Sequence, residues 1–202
     1  MYTPAHFRED SAEAMHAVMR RFPLATLVVP TTAGLEATHV PMLLEDGVLR
    51  GHVARANPLW HAATGEALAI FHGPQRYISP NFYASKQSDP RVVPTWNYIA
   101  VHAYGPLRAF DDPSALLRVV TALTDTFEAG AEHPWRVSDA PAEYIDKLLG
   151  AIVGIEIPIT RMEGKWKASQ NRPAEDRASV RAALREFLDA EIAELGVGLV
   201  AE

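Results

Sequence analysis

Between Leu24 and Val53 the chain alternates short apolar runs with turn residues, at intervals too brief for a helix of ordinary length. Leu24-Ala-Thr-Leu-Val-Val29 is a β-branched run that ends at Pro30, and Thr31-Thr-Ala-Gly34 reads as a turn. A second run spans Leu35 to Leu44, and Asp46-Gly47 then leads into Val48 to Val53. Asp-Gly between two such runs marks a tight hairpin, because both central residues of that turn need a positive φ. Three strands joined by connections this short pair with their sequence neighbours, so the segment predicts an antiparallel meander.

Three further strands are predicted. Ala67 to Phe71 is a buried run. Trp96 to Phe110 is longer, with Ile99, Val101 and Ala103 on one face and Tyr98, His102 and Tyr104 on the other. Ala151 to Met162 alternates Val153, Ile155, Ile157 and Ile159. Helices are punctuated between them. Asp10-Ser-Ala-Glu13 is a capping-box pattern opening a helix over Ser11 to Arg21, with Ala14, Met15, Val18 and Met19 as its apolar stripe. Asn57-Pro58 starts a short helix that Gly65 stops. Asp112-Pro113 starts one reaching Glu128, with Leu116, Leu117, Val120 and Leu123 inward. Pro141 to Leu149 is closed by Gly150, and a last helix runs from about 173 to 195, its stripe including Val180, Leu184, Phe187, Leu188, Ile192 and Leu195. At least six strands with hairpin turns, flanked by helices, predict a mainly β barrel or sandwich. No repeat or linker divides it, so residues 1–202 are expected to form a single domain.

One stretch fits neither period. His72-Gly-Pro-Gln-Arg-Tyr-Ile-Ser-Pro-Asn-Phe-Tyr-Ala-Ser-Lys86, followed by Val93-Pro-Thr-Trp-Asn-Tyr98, is crowded with aromatics, hydroxyls, amides and cations. A long loop in a compact domain is usually functional or disordered, and this many aromatics argue against disorder. Arg76, Ser79, Ser85, Lys86 and Thr95 can grip a phosphate, while Tyr77, Phe82, Tyr83, Trp96 and Tyr98 can flank a flat ring. A phosphorylated aromatic ligand suits that combination. A loop that packs its own aromatics under a neighbouring element accounts for the same residues equally well.

The same pieces, with others, resemble the PaiB-type family of FMN-binding negative transcriptional regulators. The matching segments are Met1-Tyr-Thr-Pro-Ala-His-Phe7, His39-Val-Pro-Met42, Gly51-His-Val-Ala-Arg-Ala-Asn-Pro58, Tyr77-Ile-Ser-Pro-Asn-Phe-Tyr-Ala-Ser-Lys86, Val93-Pro-Thr-Trp-Asn-Tyr98 and Lys165-Trp-Lys-Ala-Ser-Gln-Asn-Arg172. They run in family order over nearly the whole chain. The resemblance implies an FMN-binding split β-barrel of the flavin-reductase-like type with a C-terminal helix, a homodimer, and FMN as the ligand. On that footing Arg55, Arg76, Ser79, Lys86 and Thr95 are candidates for the phosphate, which calls for cations and hydroxyl donors. Trp96, Asn97 and Tyr98 are candidates for the ring. Lys165 and Gln170 belong to a segment that can close over phosphate or ribityl, across a subunit boundary in a dimeric barrel. The same segment also reads as a polar turn with Asn171 as an N-cap.

Other chemistries find less in the sequence. The absence of cysteine excludes disulfides, thiolate metal sites and Cys nucleophiles. The eight histidines show neither His-x-x-x-His nor His-Glu-x-x-His spacing, so no metal site is expected. A haem-ligating role for one of them is a weaker idea. There is no Gly-x-Ser-x-Gly elbow, Gly-x-Gly-x-x-Gly or Walker loop, and the catalytic residues stay unassigned. The net charge of −6 disfavours direct DNA contact. Arg177, Arg181 and Arg185 share a helix face, yet Glu175, Asp176, Glu186, Asp189, Glu191 and Glu194 surround them, the pattern of a solvated, salt-bridged helix. No apolar run is long enough to cross a bilayer, and Met1-Tyr-Thr-Pro-Ala-His is not a secretory signal, so the cytoplasm is expected. The alternatives to a PaiB-like regulator are an FMN-dependent oxidoreductase without a regulatory role and a cofactor-free dimeric interaction module.

Overall fold

At Asp46-Gly47 the backbone takes φ values of 49° and 76°, both in the left-handed region. This is the hairpin geometry the dipeptide predicts. In chain order the elements are β1 (Arg8–Glu9), α1 (Ala12–Arg21), β2 (Leu24–Thr31), β3 (Gly34–Pro41), β4 (Leu43–Glu45), β5 (Val48–Ala54), α2 (Leu59–Ala62) and β6 (Glu66–Ile78). Then come β7 (Thr95–Pro106), β8 (Arg108–Phe110), α3 (Pro113–Glu128), α4 (Ala142–Leu149), β9 (Ile152–Pro158), β10 (Arg161–Lys167) and α5 (Ala174–Arg185). This computed structural model describes residues 1–185, so Phe187, Leu188, Ile192 and Leu195 of the expected last helix lie outside the described residues.

The chain forms two compact units, Met19–Phe71 with Ala103–Met162, and Met1–Val18 with His72–His102 and the residues from 163 on. In the first of these, β2 pairs antiparallel with β3 from Leu24↔Pro41 to Thr31↔Gly34, and with β6 from Thr26↔Ile70 to Val28↔Leu68. A four-stranded sheet in the order β4-β5-β9-β8 completes the unit. Helix α3 packs on β5 and β9, and α4 packs on α3 and β9. The core includes Leu27, Val29, Leu49, Phe71, Ile155 and Ile157, all fully buried. Each such side chain contributes about 1.5–3 kcal/mol.

In the other unit the sheet order is β1-β10-β7-β6, with Arg8↔Lys165 and Glu9↔Gly164 in register. Between β6 and β7 lie two 3-10 turns, Pro80–Phe82 and Ala84–Gln87. They pack on α5, where Ile78, Tyr83, Val180 and Leu184 make a buried cluster.

Several boundaries differ from the sequence reading, each for a local reason. β2 continues through Pro30 to Thr31. Its ladder with β6 stops at Val28, so the missing proline N–H interrupts nothing on that side. The run from Leu35 to Leu44 breaks at Met42, whose N–H donates to Pro23 O at 2.9 Å. The long strand after Trp96 breaks at Leu107, and β8 then pairs with β9. The first helix is capped by the Ser11 hydroxyl, which accepts from Ala14 N at 3.2 Å, in place of Asp10. On α3 the buried positions are Leu116, Val119 and Leu123, while Leu117 is exposed. Two larger differences bear on function. β6 extends through Ile78, so the first half of the aromatic stretch is strand; Gly73 allows it, since a Cβ there would lie 2.9 Å from Ile99 Cβ. The segment from Arg161 to Lys167 is a strand of its own.

Candidate functional site

Strand periodicity sorts the conspicuous residues of β7 and β10. On β7, Asn97 and Ile99 are buried while Trp96 is exposed and Tyr98 half-buried. On β10, Gly164 and Trp166 turn inward, and Lys165 and Lys167 fall on the opposite face. Gly164 has to be a glycine: a Cβ there would sit 3.0 Å from Glu9 O and 2.8 Å from the Trp166 ring. The outward lysines meet aromatics and a hydroxyl. Lys165 Nζ donates to Tyr2 O at 3.1 Å and lies 5.3 Å from the centre of the Tyr98 ring and 5.9 Å from that of Tyr2. These distances are within cation–π range. Lys167 Nζ donates to Thr95 Oγ1. Burial pushes the Lys167 ammonium below the ordinary lysine value; Tyr98 opposes the shift and the neighbouring Lys165 charge adds to it. A partly desolvated ammonium beside a second one is a place where an anion is favoured.

The other predicted members of this group shape the backbone. Asn97 and Ser169 form a buried pair, with Asn97 Nδ2 donating to Ser169 Oγ at 3.1 Å and Ser169 Oγ donating to Asn97 Oδ1 at 3.2 Å. Gln170 Oε1 accepts from Ala168 N at 2.7 Å, and its Nε2 donates to Trp166 O. The segment after β10 is thereby folded into a fixed turn, with Ser169 in the left-handed region at φ 65°.

At the end of β6, Arg76 is exposed and Tyr77 meets Trp96 of β7 edge-on, their ring centres 6.1 Å apart at 70°. Ser79 caps the first 3-10 turn by accepting from Asn81 N at 3.2 Å. Lys86 Nζ donates to Asn81 Oδ1. Every predicted site residue except Arg55 thus belongs to the unit built from residues 1–18, 72–102 and the chain from 163. Arg55 belongs to the other unit. There its Nε donates to Gly150 O at 2.8 Å, Nη2 to Ile152 O at 3.0 Å and Nη1 to Asp111 at 3.1 Å.

Sequence reasoning missed Lys167 as an individual residue, although its spacing of two from Lys165 is the strand signature of a shared face. It also assigned Asp176 to a solvated surface, whereas the side chain is buried. Two clefts, of about 840 and 600 Å³, lie in the unit containing α3 and α4 and are lined by none of the predicted residues. The lysine–aromatic group lies outside both, with Thr95, Tyr98, Lys165 and Lys167 half-buried. Among the described residues no group of three or more His, Asp or Glu is placed to hold a metal ion, and no helix is long and apolar enough to cross a membrane.

The donor set fits a flavin mononucleotide: ammonium and hydroxyl donors suit a phosphate, and neighbouring exposed rings suit an isoalloxazine. The comparisons agree. The family described as "Putative FMN-binding domain" matches residues 1–161. An uncharacterized protein of Emericella nidulans is 33% identical, covering 89% of this chain and 88% of its own length. Protease synthase and sporulation protein PAI 2 of Bacillus subtilis is 29% identical, covering 89% and 87%. Among solved structures, the flavocytochrome Anf3 from Azotobacter vinelandii aligns with a TM-score of 0.63 over 85% of this chain and 75% of its own, at 16% identity, a likeness of fold. Two antiparallel sheets with flanking helices, the ordered motifs and these matches together show that the chain belongs to the FMN-binding domain family, as a split β-barrel protein of the PaiB type.

Proposed function

We propose that the protein binds FMN as a homodimer, with Lys165, Lys167 and Thr95 taking the phosphate and Trp96 and Tyr98 flanking the ring. The observation that carries this reading is the pairing of two outward lysines on β10 with Thr95 and Tyr98 of β7. A phosphate there replaces water around a partly desolvated ammonium and strengthens a charge-assisted contact. Asn97, Ser169 and Gln170 hold the strand ends that present those donors. Bound FMN supplies redox chemistry that no side chain of this chain can. A second protomer accounts for a further fact: Val93 and Trp96, on the same stretch as Thr95, are 64% and 52% exposed.

We propose further that the protein acts as a negative transcriptional regulator, a role supported by its likeness to the PaiB-type family. With a net charge of −6, regulation through the bound flavin or a small molecule is favoured over direct DNA contact, and the cytoplasm is the compartment proposed. The test is a visible absorption spectrum of purified protein, followed by FMN titration and light scattering on the same sample. Stoichiometric flavin on a dimer is expected. A monomer that takes up no FMN would overturn the reading.

A further inference from the structure

Asp176, on α5, is 1% exposed, and both of its carboxylate oxygens are used: Oδ1 accepts from Ser85 N and Oδ2 from Ser85 Oγ, each at 2.9 Å. One turn further, Ser179 Oγ accepts from Ala84 N at 3.2 Å and donates to Asp176 O at 3.0 Å. Two successive amides of the second 3-10 turn are therefore held by side chains of one helix. Beneath them Ile78 and Tyr83 are buried against Val180 and Leu184, and the Arg172 guanidinium lies 4.5 Å from the centre of the Tyr83 ring.

A buried carboxylate is costly unless its oxygens are hydrogen-bonded, and apolar packing alone would fasten a loop to a helix at less cost. What the two-point carboxylate clasp adds is orientation. It fixes the direction of the residue beside Lys86. It also occupies the Ser85 hydroxyl and amide, which leaves Lys86 as the cation of this segment and Ser79 as a hydroxyl that can turn to an anion. Lys86 Nζ is parked on Asn81 Oδ1, and Ser79 Oγ accepts from Asn81 N, an arrangement that leaves its own proton for a ligand.

We propose that Asp176 is a positioning residue of the cofactor site: acting through Ser85, it sets the Ser79–Gln87 segment so that Lys86 and the Ser79 hydroxyl join Lys165, Lys167 and Thr95 at the FMN phosphate. The proposal rests on the FMN reading above and adds α5, which lies beyond the family-matched residues 1–161, to the machinery of that site.

The experiment uses the full chain and measures FMN affinity by flavin-fluorescence titration, trypsin cleavage after Lys86 without FMN, and the melting temperature. Asp176→Ala is expected to weaken FMN binding about tenfold or more, the loss attending one misplaced charge-assisted contact, and to speed cleavage after Lys86. Asp176→Asn, which keeps the shape and one acceptor, restores part of both. Ser85→Ala removes only the hydroxyl arm and keeps the proposal testable if Asp176→Ala does not fold; a several-fold loss of affinity is expected, together with a lower melting temperature because the buried Asp176 Oδ2 loses its donor. Normal FMN affinity in variants whose Lys86 site is cut faster would overturn the positioning role, and unchanged cleavage would overturn the clasp. Failure of the unsubstituted protein to bind FMN would end both readings of the site, while the cleavage pattern would still judge the clasp.

Discussion

Asn97 and Ser169 each act as donor and acceptor to the other, deep in the unit that carries the lysine–aromatic face. The pair ties the start of β7 to the turn after β10, where Ser169 holds φ 65°. Glycine adopts that backbone without strain, so Ser169→Gly isolates the hydroxyl. The substitution removes the hydroxyl that both accepts from and donates to the buried Asn97 amide and is expected to cost about 1–3 kcal/mol in urea unfolding. Asn97→Ala with Ser169→Gly should cost less than the two single changes added together; simple additivity would show that the pair is not coupled.

Lys167 gives the site a pH signature. Burial lowers its value from the ordinary 10.5, so the ammonium gives up its proton earlier than a free lysine does. FMN affinity should fall as pH rises through that lowered value. Stability moves the other way: the unfolded chain holds this proton more tightly, so the burial cost is present at lower pH and lifts as pH climbs toward 10.5. Lys167→Arg, which cannot deprotonate, should flatten the affinity profile. Lys167→Met should weaken FMN binding about tenfold or more. An unaltered profile in Lys167→Arg would remove Lys167 from the site.

Arg55 is expected to act on stability. Its guanidinium serves two main-chain carbonyls, of Gly150 and Ile152, together with Asp111. Arg55→Ala should lower stability by about 1–3 kcal/mol and leave the FMN dissociation constant unchanged. Arg55→Lys should recover little, because an ammonium cannot reproduce the fork. Loss of FMN affinity at an unchanged melting temperature would return Arg55 to the phosphate.

Gly154 on β9 lies under the Phe110 ring. A Cβ at that position would come within 2.2 Å of Phe110 Cε2 and Cζ. Gly154→Ala should therefore destabilise the protein by about 1–3 kcal/mol through overpacking. In a Phe110→Ala background the same change should cost almost nothing. Equal costs in the two backgrounds, read from thermal melts, would mean that the strain lies elsewhere.

The elements with strong punctuation were legible from the residues. Asp46-Gly47 marked a hairpin and Asp112 accepts from Ala115 N at 2.7 Å as an N-cap should, whereas the short helix ends at Ala62, before Gly65, whose φ of 99° falls in the connection to β6. The strands with polar outward faces were not. In Arg161-Met-Glu-Gly-Lys-Trp-Lys167 the charges outnumber the apolar residues, and the inward position at 164 is a glycine with no hydrophobic signal to give. The aromatic stretch misled for the same reason, since Gly73 and Pro74 look like loop residues while the backbone around them is strand. The candidate site came mostly from motif resemblance. Physical reasoning alone supplied its residue types, but it could not bring Thr95 to Lys167, because pairing between strands far apart in sequence is decided by the whole sheet. Asp176 was misread because acidic residues on a helix among arginines usually face water.

The register of β1 on β10 sets the order of events during synthesis. Arg8 is made long before its strand partner Lys165, so β1 waits for β10 before it can pair. The unit that carries the lysines draws on three separate stretches of chain, and no early-made fragment contains them all. A nascent chain can pair β1 and present this strand face only once β10 has been made.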